Sequence, residues 1–343
     1  MDVPPPPVDQ PEPYRPSAPD RAALLRLPRA FGTRFALFVD TEEEFDWGAP
    51  LSSANRSVGA IAGLPDAHRR FADRGVPVTY LIDHPVADDP RAADILNSVT
   101  ADGRSAIGAQ LHPWVNPPFE EAVSSRNSFV GNLRPALQAA KIAALTDRIH
   151  AAFGRSPRVF RAGRYGLGPD TLPLIAAAGY RIDSSMRSRY DYSGEGGPDF
   201  RAISNHPFRT GAPGLVELPL TTVFVGGLGT RGRRLQRLLA RAPLARGALA
   251  RAGLLRRIAL TPEDMPIADA LEAVRVAVDH GVRLLNFSFH SPSLVPGHTP
   301  YVRDAADLAA FHAWWAAMFD LLERLGVAPI GEAELIATMD AMR

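Results

Sequence analysis

The 343-residue sequence contains no cysteine, which excludes disulfide bonds, thiolate metal ligands and a cysteine nucleophile. Lysine is almost absent as well, because Lys141 is the only one and arginine supplies the other basic side chains. The formal net charge is only +1, so no overall field favours nucleic acid as a partner. No apolar run has the length of a membrane span, and the first residues lack the features of a secretory signal. We therefore expect a cytoplasmic protein that does not bind nucleic acid.

Hydrophobic residues make up 46% of the chain, which is enough for one large α/β domain with a substantial core. Residues 1–30 are rich in proline, a residue that lacks a backbone donor and interrupts helices. We expect them to form a disordered proline-rich tail, followed by a single domain over residues 31–343.

Apolar runs and amphipathic periodicity predict a chain in which strands alternate with helices. Strands are expected near residues 34–40, 77–82, 106–111, 157–161, 215–221, 283–289 and 327–330. Helices are expected near residues 57–74, 135–153, 171–178 and 304–325, with a helical pair over 232–280. Such alternation is typical of a parallel sheet that is closed, or nearly closed, into a barrel.

Polar side chains occur at the carboxyl ends of several predicted strands. These residues are Asp40, Glu42, His112, Arg161 and His290. The carboxyl ends of the strands of a barrel form one rim, and barrel enzymes carry their active sites there. The sequence therefore predicts that the five residues converge on a common site.

Asp40 and Glu42 are separated by one residue, so an extended backbone places their side chains on the same face. Two neighbouring carboxylates can divide the work, with one binding a cation and the other accepting a proton. The alternative is a solvated acidic loop, because Glu43, Glu44 and Asp46 follow directly.

His112 leaves a predicted strand for a loop with three prolines, which restrict its backbone. Imidazole is a common neutral metal ligand, and a catalytic zinc ion has roughly tetrahedral ligands with one open position. We interpret His112 as a metal ligand; a histidine that is merely hydrogen-bonded is the alternative.

Arg161 and His290 also have chemistry that suits a catalytic site. An arginine that follows a short apolar strand can pair with a carboxylate and hold it ionised and oriented. His290 closes an apolar strand and opens a loop of serine, proline and glycine, which favours a general acid over a packing residue.

Four segments together resemble the polysaccharide deacetylases, the NodB-homology family also called carbohydrate esterase family 4. They are the Asp-x-Glu motif at 40–42 and the segments IGAQLHPW at 107–114, VFRAGRYG at 159–166 and LLNFSFHSPS at 284–293. The likeness covers residues 33 to 335 and is greatest for a bacterial branch with Asp-x-Glu and His-Pro-Trp motifs. It implies a deformed (β/α) barrel of about seven strands that hydrolyses an N-acetyl group on a polysaccharide or oligosaccharide.

The resemblance implies a role for each residue that matches a family motif. Asp40 matches the catalytic base, and His290 matches the acid that protonates the leaving group. Arg161 matches the arginine that orients the base. Tyr165 stands where a tyrosine supplies a backbone donor to the oxyanion. Independently of the resemblance, Trp47, Trp114 and Tyr165 are candidates to stack on a sugar ring.

The resemblance also implies a divalent metal ion, expected to be zinc, with Glu42 and His112 as ligands. The family normally offers two histidines in the second motif, and here Gln110 takes the place of one of them. An amide oxygen is a poorer zinc ligand than imidazole. Three outcomes are open: a weaker metal site, a third ligand from elsewhere, or no metal.

The residues leave three other functions open. Some relatives in the superfamily hydrolyse C–N bonds without metal, and a non-catalytic relative would only bind a glycan. A glycosidase would use Asp40 and Glu42 as its two carboxylates, but His290 and Arg161 would then be unexplained. We expect an acetylated glycan as the partner, and the sequence indicates no oligomeric state.

The segment 231–257 contains nine arginines and no acidic residue, with Leu and Ala at helical spacing. We expect a helical insertion on the outside of the barrel. The alternative is a surface that contacts an anionic membrane or an acidic polysaccharide.

Overall fold

The structure is a computed structural model that describes residues 12–229 and 243–342, together with the isolated positions 232, 235 and 238. Residues 1–11 of the predicted tail lie outside the described residues. The strands, labelled in chain order within these ranges, are β1 (Thr33–Thr41), β2 (Val78–Ile82), β3 (Ala106–Leu111), β4 (Val159–Ala162), β5 (Ile182–Asp183), β6 (Phe208–Arg209), β7 (Val216–Glu217), β8 (Thr222–Val225), β9 (Arg256–Ala259), β10 (Leu284–His290) and β11 (Val327–Pro329).

The helices are labelled in the same way. They are α1 (Leu64–Ala72), α2 (His84–Asp88), α3 (Pro90–Val99), α4 (Pro135–Phe153), α5 (Thr171–Ala177), α6 (Pro243–Arg251), α7 (Ile267–Asp279), α8 (Ala305–Arg324) and α9 (Glu332–Asp340). Short 3₁₀ turns lie at Arg29–Phe31, Gly59–Gly63, Val130–Asn132, Gly163–Tyr165, Ser193–Glu195 and Ser291–Leu294. Among the described residues, no helix combines the length and the apolar character needed to cross a membrane.

The main sheet is parallel through the order β10-β1-β2-β3-β4-β5-β7, with β6 antiparallel at one edge and β11 paired with the start of β1. The predicted deformed (β/α) barrel of about seven strands is confirmed. Because these strands run in the same direction, their carboxyl ends lie along one rim. A second, two-stranded sheet of β8 and β9 follows the last parallel strand.

The gap between the two edges of the main sheet is bridged by hydrogen bonds. In the first edge strand β10, the amide of Asn286 donates to Oγ1 of Thr221 at 2.9 Å, and the Asn286 carbonyl accepts from the Thr221 amide at 3.3 Å. Further along β10, the Ser288 amide donates to the Leu260 carbonyl at 3.2 Å. Connecting segments therefore complete the barrel where the regular strand ladder ends.

The core lies between the sheet and its helices. β1 is buried along all but its first two residues, as expected of a parallel strand covered on both faces. α1 buries one face at helical spacing, through Leu64, Ala67, His68 and Phe71. Trp314 and Trp315 of α8 are also buried and belong to the core.

Two regions differ from the sequence prediction. The predicted helical pair at 232–280 is interrupted by strand β9, whose four residues have the sequence RRIA. Of the arginine-rich segment, residues 243–251 are helical, while most of 230–242 lies outside the described residues. Residues 12–30, expected to belong to the tail, lie against the barrel, where the Leu25 amide donates to the Pro207 carbonyl at 2.9 Å.

Candidate active site

A cavity of about 590 Å³ opens at the carboxyl ends of the parallel strands. All eight residues singled out from the sequence line it, namely Asp40, Glu42, Gln110, His112, Trp114, Arg161, Tyr165 and His290. They come from the ends of β1, β3, β4 and β10 and from the turn after β4. The structure brings the predicted strand-end residues together in this cavity. Their individual roles remain predictions.

Asp40 and His290 lie side by side because β1 and β10 pair in parallel with these two residues in register. The distance from His290 Nε2 to Asp40 Oδ2 is 3.8 Å. We call these two residues the acid–base pair. A small acyl group that enters between them can contact both a carboxylate and an imidazole.

Arg161 holds Asp40 from inside the barrel. Its Nη1 donates to Asp40 Oδ1 at 2.5 Å, and the side chains of both residues are almost completely buried. Two further donors of the guanidinium are fixed by Ser184, whose carbonyl accepts from Nε at 2.8 Å and whose Oγ accepts from Nη2 at 3.1 Å. A charged hydrogen bond in this setting orients one carboxylate oxygen and leaves the other facing the cavity.

Glu263 holds His290 from the opposite side. Its Oε2 lies 2.7 Å from His290 Nδ1, and its Oε1 accepts from the His290 amide at 3.0 Å and from Ser293 Oγ at 2.6 Å. Burial lowers the pKa of the His290 imidazole, but the negative charges of Glu263 and Glu42 outweigh burial and raise that pKa well above its ordinary value. His290 is therefore kept in the form that can donate a proton.

Glu42, Gln110 and His112 form a second group in the same cavity, which we call the ligand triad. The distance between Glu42 Oε2 and His112 Nε2 is 3.5 Å, and Gln110 Nε2 lies 3.1 Å from the first and 3.2 Å from the second. Ligands bonded to one tetrahedral zinc ion are about 3.3–3.4 Å apart. The triad atoms therefore have the mutual spacing of three ligands of one ion.

Unpartnered polar atoms also mark the ligand triad. Glu42 Oε1 and Gln110 Oε1 are buried and have no hydrogen-bond partner among the described residues. A half-turn of the Gln110 amide would exchange its oxygen and nitrogen, and would direct the oxygen at the other two triad atoms. Two carbonyl-type oxygens and one imidazole nitrogen are a suitable donor set for a divalent cation, so the residues present fit a metal ion.

His112 is supported by a carboxylate behind it. Glu43 Oε2 lies 2.7 Å from His112 Nδ1, which leaves Nε2 free to face the cavity. Trp114 donates from Nε1 to Glu43 Oε1 at 2.7 Å, and its ring stacks on His112 with 4.3 Å between ring centres. Burial lowers the pKa of His112, so the imidazole is kept neutral, as a metal ligand must be.

Gly163 is required by the same arrangement. A Cβ atom at this position would collide with Cδ2 of His112 and would lie 2.8 Å from the Leu111 carbonyl oxygen. The next two residues, Arg164 and Tyr165, have φ values of 53° and 59°, which are unusual for residues other than glycine. The turn after β4 is thus shaped to let His112 and the cavity wall approach each other.

Glu43, Asp83 and His112 also lie close enough for their ligand atoms to surround one ion. Their atoms are already engaged, however, because Asp83 Oδ1 accepts from the Val86 amide at 2.9 Å and Oδ2 accepts from the Glu43 amide at 2.8 Å. Burial and the charge of Glu43 raise the pKa of Asp83 well above its ordinary value. We therefore interpret this group as the support of His112, and the ligand triad as the candidate metal site.

Glu42 is the least stabilised charge in the cavity. Burial raises its pKa to about 8, while the nearby imidazoles of His290 and His112 act in the opposite direction. A carboxylate in this position needs additional positive charge to remain ionised at neutral pH, which a bound cation would supply.

Trp114 differs from its predicted role. It is 2% exposed and its face is covered by His112, so it positions His112 and Glu43 instead of presenting a face to a sugar. Trp47 is 36% exposed at the cavity mouth, where its ring contacts His290 and Tyr301 at 5.1 and 5.5 Å between ring centres. An indole in this position is the better candidate for a sugar platform.

Sequence reasoning missed Glu43, Asp83 and Glu263. Glu43 was visible only as part of an acidic run that was interpreted as a possible solvated loop. Asp83 follows the predicted strand at 77–82 directly, so its strand-end position was an available signal. Glu263 follows strand β9, which had been assigned to a helix, and no local pattern connected it to His290.

Comparison with known proteins gives one informative likeness. No protein-family model matches the sequence, and no curated protein matches it. The crystal structure of a putative polysaccharide deacetylase from Mycobacterium smegmatis is similar with a TM-score of 0.53 and 15% identity, over 93% of this chain and 94% of that one. A probable polysaccharide deacetylase from Pseudomonas aeruginosa PAO1 gives 0.49 and 15%, over 90% and 91%. The chain therefore has the fold of the polysaccharide deacetylases, as its sequence motifs predicted.

Proposed function

We propose that the protein hydrolyses the amide bond of an N-acetyl group on a glycan, releasing acetate and a free amine. The observation that carries this proposal is the acid–base pair at the floor of the cavity, with Arg161 behind the carboxylate and Glu263 behind the imidazole. The similarity in fold to a putative polysaccharide deacetylase supports the choice of substrate class. Fold alone does not specify an activity, so the proposal depends on the site.

In the proposed reaction, Asp40 accepts a proton from the attacking water as its oxygen bonds to the acyl carbon. Arg161 keeps the carboxylate oriented for that transfer. His290, held protonated by Glu263, donates a proton to the nitrogen as the C–N bond breaks. Asp40 gains one proton and His290 loses one. Transfer of a proton from Asp40 to His290, through the amine or solvent, then restores the starting state of the pair.

The ligand triad would hold the divalent cation. A cation bound there would polarise the acyl oxygen as a Lewis acid. Glu42 and His112 supply two ligand atoms, and Gln110 supplies the third through its amide oxygen. Tyr165 also lines the cavity, and its backbone amide is a candidate donor to the oxyanion, a contribution of about 3–4 kcal/mol in comparable sites.

Acetate release tests the proposal. The purified protein, loaded with zinc, is incubated with N-acetylglucosamine oligosaccharides, and acetate and reducing ends are measured separately. Acetate without new reducing ends supports deacetylation. New reducing ends without acetate support a glycosidase and contradict the proposal, and neither product would leave a glycan-binding protein.

A second candidate function is C–N bond hydrolysis without metal. It is favoured by the present orientation of Gln110, whose amide nitrogen donates to Glu42 and thereby satisfies part of the charge that a cation would neutralise. Elemental analysis of the protein and turnover after dialysis against a chelator separate the two. Full activity in metal-free protein would replace the metal-dependent mechanism with this one.

A further inference from the structure

Arg187 is a basic residue in the cavity wall to which the reaction described above assigns no role. Its backbone pairs with that of Leu220 just beyond the sheet, where the Ser188 amide donates to the Leu220 carbonyl. Its side chain lines both the main cavity and a smaller cavity of about 230 Å³ beside it. His290 borders the same two cavities, so Arg187 lies beside the space that a substrate would occupy.

Arg187 has no acidic partner within the part of the chain that the structure describes. None of the ion pairs there includes this guanidinium, and its Nε is buried without a hydrogen-bond partner. The neighbouring carboxylates are committed elsewhere or do not reach it. Glu263 binds His290, Glu195 pairs with Arg164 at 2.5 Å, and the exposed Asp264 forms no ion pair with Arg187.

A second guanidinium shares the same surroundings. Arg187 lies 4.0 Å and Arg257 lies 3.7 Å from the centre of the Tyr190 ring. Burial lowers the pKa of Arg257, and the positive charge of Arg187 lowers it further. Among the described residues Arg257 also lacks a carboxylate partner; its Nη1 donates to the Arg189 carbonyl at 3.1 Å.

Two positive charges in partly buried positions without a counterion are unfavourable, and aromatic faces compensate for this only in part. The segment 230–242, most of which the structure does not describe, contains no acidic residue that would supply the charge. An anion from outside the chain would supply this negative charge. The planar guanidinium of Arg187, with its face against tyrosine, has N–H edges that match the two oxygens of a carboxylate.

We propose that Arg187 forms an anion subsite of the cavity, to which Arg257, against the same tyrosine ring, adds positive charge, and that the glycan substrate carries a carboxylate on one of its sugars. The substrate class is then an acidic N-acetylated glycan that contains uronic acid. The statement about substrate rests on the proposed function, whereas the anion subsite itself does not.

The subsite is tested first without catalysis, by thermal unfolding in sodium glucuronate against sodium chloride of equal ionic strength. A ligand that binds only the folded protein raises the melting temperature. We expect glucuronate to stabilise the wild type and the control Arg69→Gln, which changes an exposed arginine of α1. Arg187→Gln is expected to lose most of that stabilisation. Arg187→Lys keeps the positive charge but lacks the paired N–H donors of a guanidinium, and is expected to lose only part of it.

Equal stabilisation of wild type and Arg187→Gln would overturn the subsite, as would no stabilisation of the wild type by any anion tested. Parallel measurements in sodium sulfate and sodium phosphate distinguish the source. A shift with sulfate or phosphate alone, lost in Arg187→Gln, supports the subsite and assigns it to a sulfate or phosphate ester in place of a carboxylate.

The substrate class is tested with hyaluronan hexasaccharide, which contains N-acetylglucosamine and glucuronic acid, and with the same oligosaccharide after its carboxylates are reduced to alcohols. In the wild type we expect kcat/KM for acetate release to favour the acidic form, and Arg187→Gln to lower this preference about tenfold or more, which corresponds to about 1.4 kcal/mol. An unchanged preference contradicts the inference. Absence of acetate from both substrates contradicts the proposed function, while the unfolding result still decides the subsite.

Discussion

The two halves of the cavity differ in how completely their polar groups are satisfied. In the acid–base pair, each side chain has a charged partner behind it, and the free atoms of Asp40 and His290 face only the cavity. In the ligand triad, Glu42 Oε1 and Gln110 Oε1 are buried, and no described residue forms a hydrogen bond with either atom. Buried polar groups are normally paired, so we call the acid–base pair the complete half and the ligand triad, with its two unpaired acceptors, the incomplete half.

The largest expected effect on turnover comes from replacing the side chains of the acid–base pair. Asp40→Asn and His290→Ala remove the proton acceptor and the proton donor, and each is expected to lower kcat for acetate release by about 10²–10⁴-fold. The check is steady-state kinetics with a melting curve for each variant. Asp66→Asn, which alters an exposed acid on α1, serves as the control. Near-normal turnover in either active-site variant with a normal melting temperature would falsify the assigned roles.

The incomplete half is tested through the residue that supports it. Glu43→Gln weakens the hydrogen bond that orients His112, and is expected to lower the affinity for zinc about 10–100-fold. Competition with a chromogenic chelator measures this affinity. Glu44→Gln is the matched control, because Glu44 binds Ser57 and the Ala60 amide outside the main cavity.

Equal zinc affinity in Glu43→Gln and wild type would show that the ion, if it binds, does not use His112. Gln110→His sharpens the same comparison by restoring an imidazole to the triad. It is expected to raise zinc affinity, because imidazole is a better zinc ligand than an amide oxygen.

Gly163→Ala tests whether space beside His112 is essential. The new methyl group would collide with Cδ2 of His112, so the imidazole or the turn has to move. We expect the free energy of unfolding, measured in urea, to fall by about 1–3 kcal/mol, together with reduced zinc binding. Gly194→Ala is the control, since a Cβ there meets no atom within 4 Å. Equal stability of the two variants would contradict the close approach.

The smallest expected effect is a shift in the pH dependence of turnover, which tests the role of His290 in the acid–base pair. His290 must be protonated to act as the acid, and the negative charge of Glu263 helps to raise its pKa. The activity supplied by this acid is therefore present at low pH and lost as the pH rises through the raised pKa. In Glu263→Gln the alkaline limb of kcat is expected to move to lower pH. An alkaline limb that stays in place would show that another group controls it.

The contact between His290 and Glu263 also makes the stability of the protein depend on pH. His290 has a raised pKa in the folded protein, so its contribution to the free energy of unfolding is present below the ordinary pKa of histidine and is lost as pH rises through the raised value. Glu263 has a lowered pKa, so its contribution is present above the ordinary pKa of glutamate and is lost as pH falls. The pair stabilises the protein most between these limits.

The sequence was sufficient to predict those cavity residues that lie at the end of a strand. Asp40, His112, Arg161 and His290 each follow or end a short apolar strand, and parallel strands of one barrel bring such ends together without any knowledge of side-chain contacts. This is why the fold and the main residues of the cavity were predictable from local patterns.

The supporting residues were not predictable in the same way. Whether Glu43 is solvated or buried depends on Trp114 and Asp83, which lie 71 and 40 residues away along the chain. Glu263 reaches His290 only because β9 ends nearby, and arginine and isoleucine in β9 have no pattern that excludes a helix. Arg187 is an ordinary arginine in the sequence, and its lack of an acidic partner within the described part of the chain is a property of three-dimensional packing.

The register of β1 against β10 has a consequence for how this protein can vary. Asp40 and His290 are matched across one pair of strands, so the backbone ladder itself fixes how far apart the carboxylate and the imidazole lie. A slip of one residue would turn one of the two side chains to the opposite face of the sheet. Insertions in the loops around the mouth can therefore change the shape of the cavity, whereas a single insertion inside either strand would separate the carboxylate of Asp40 from the imidazole of His290.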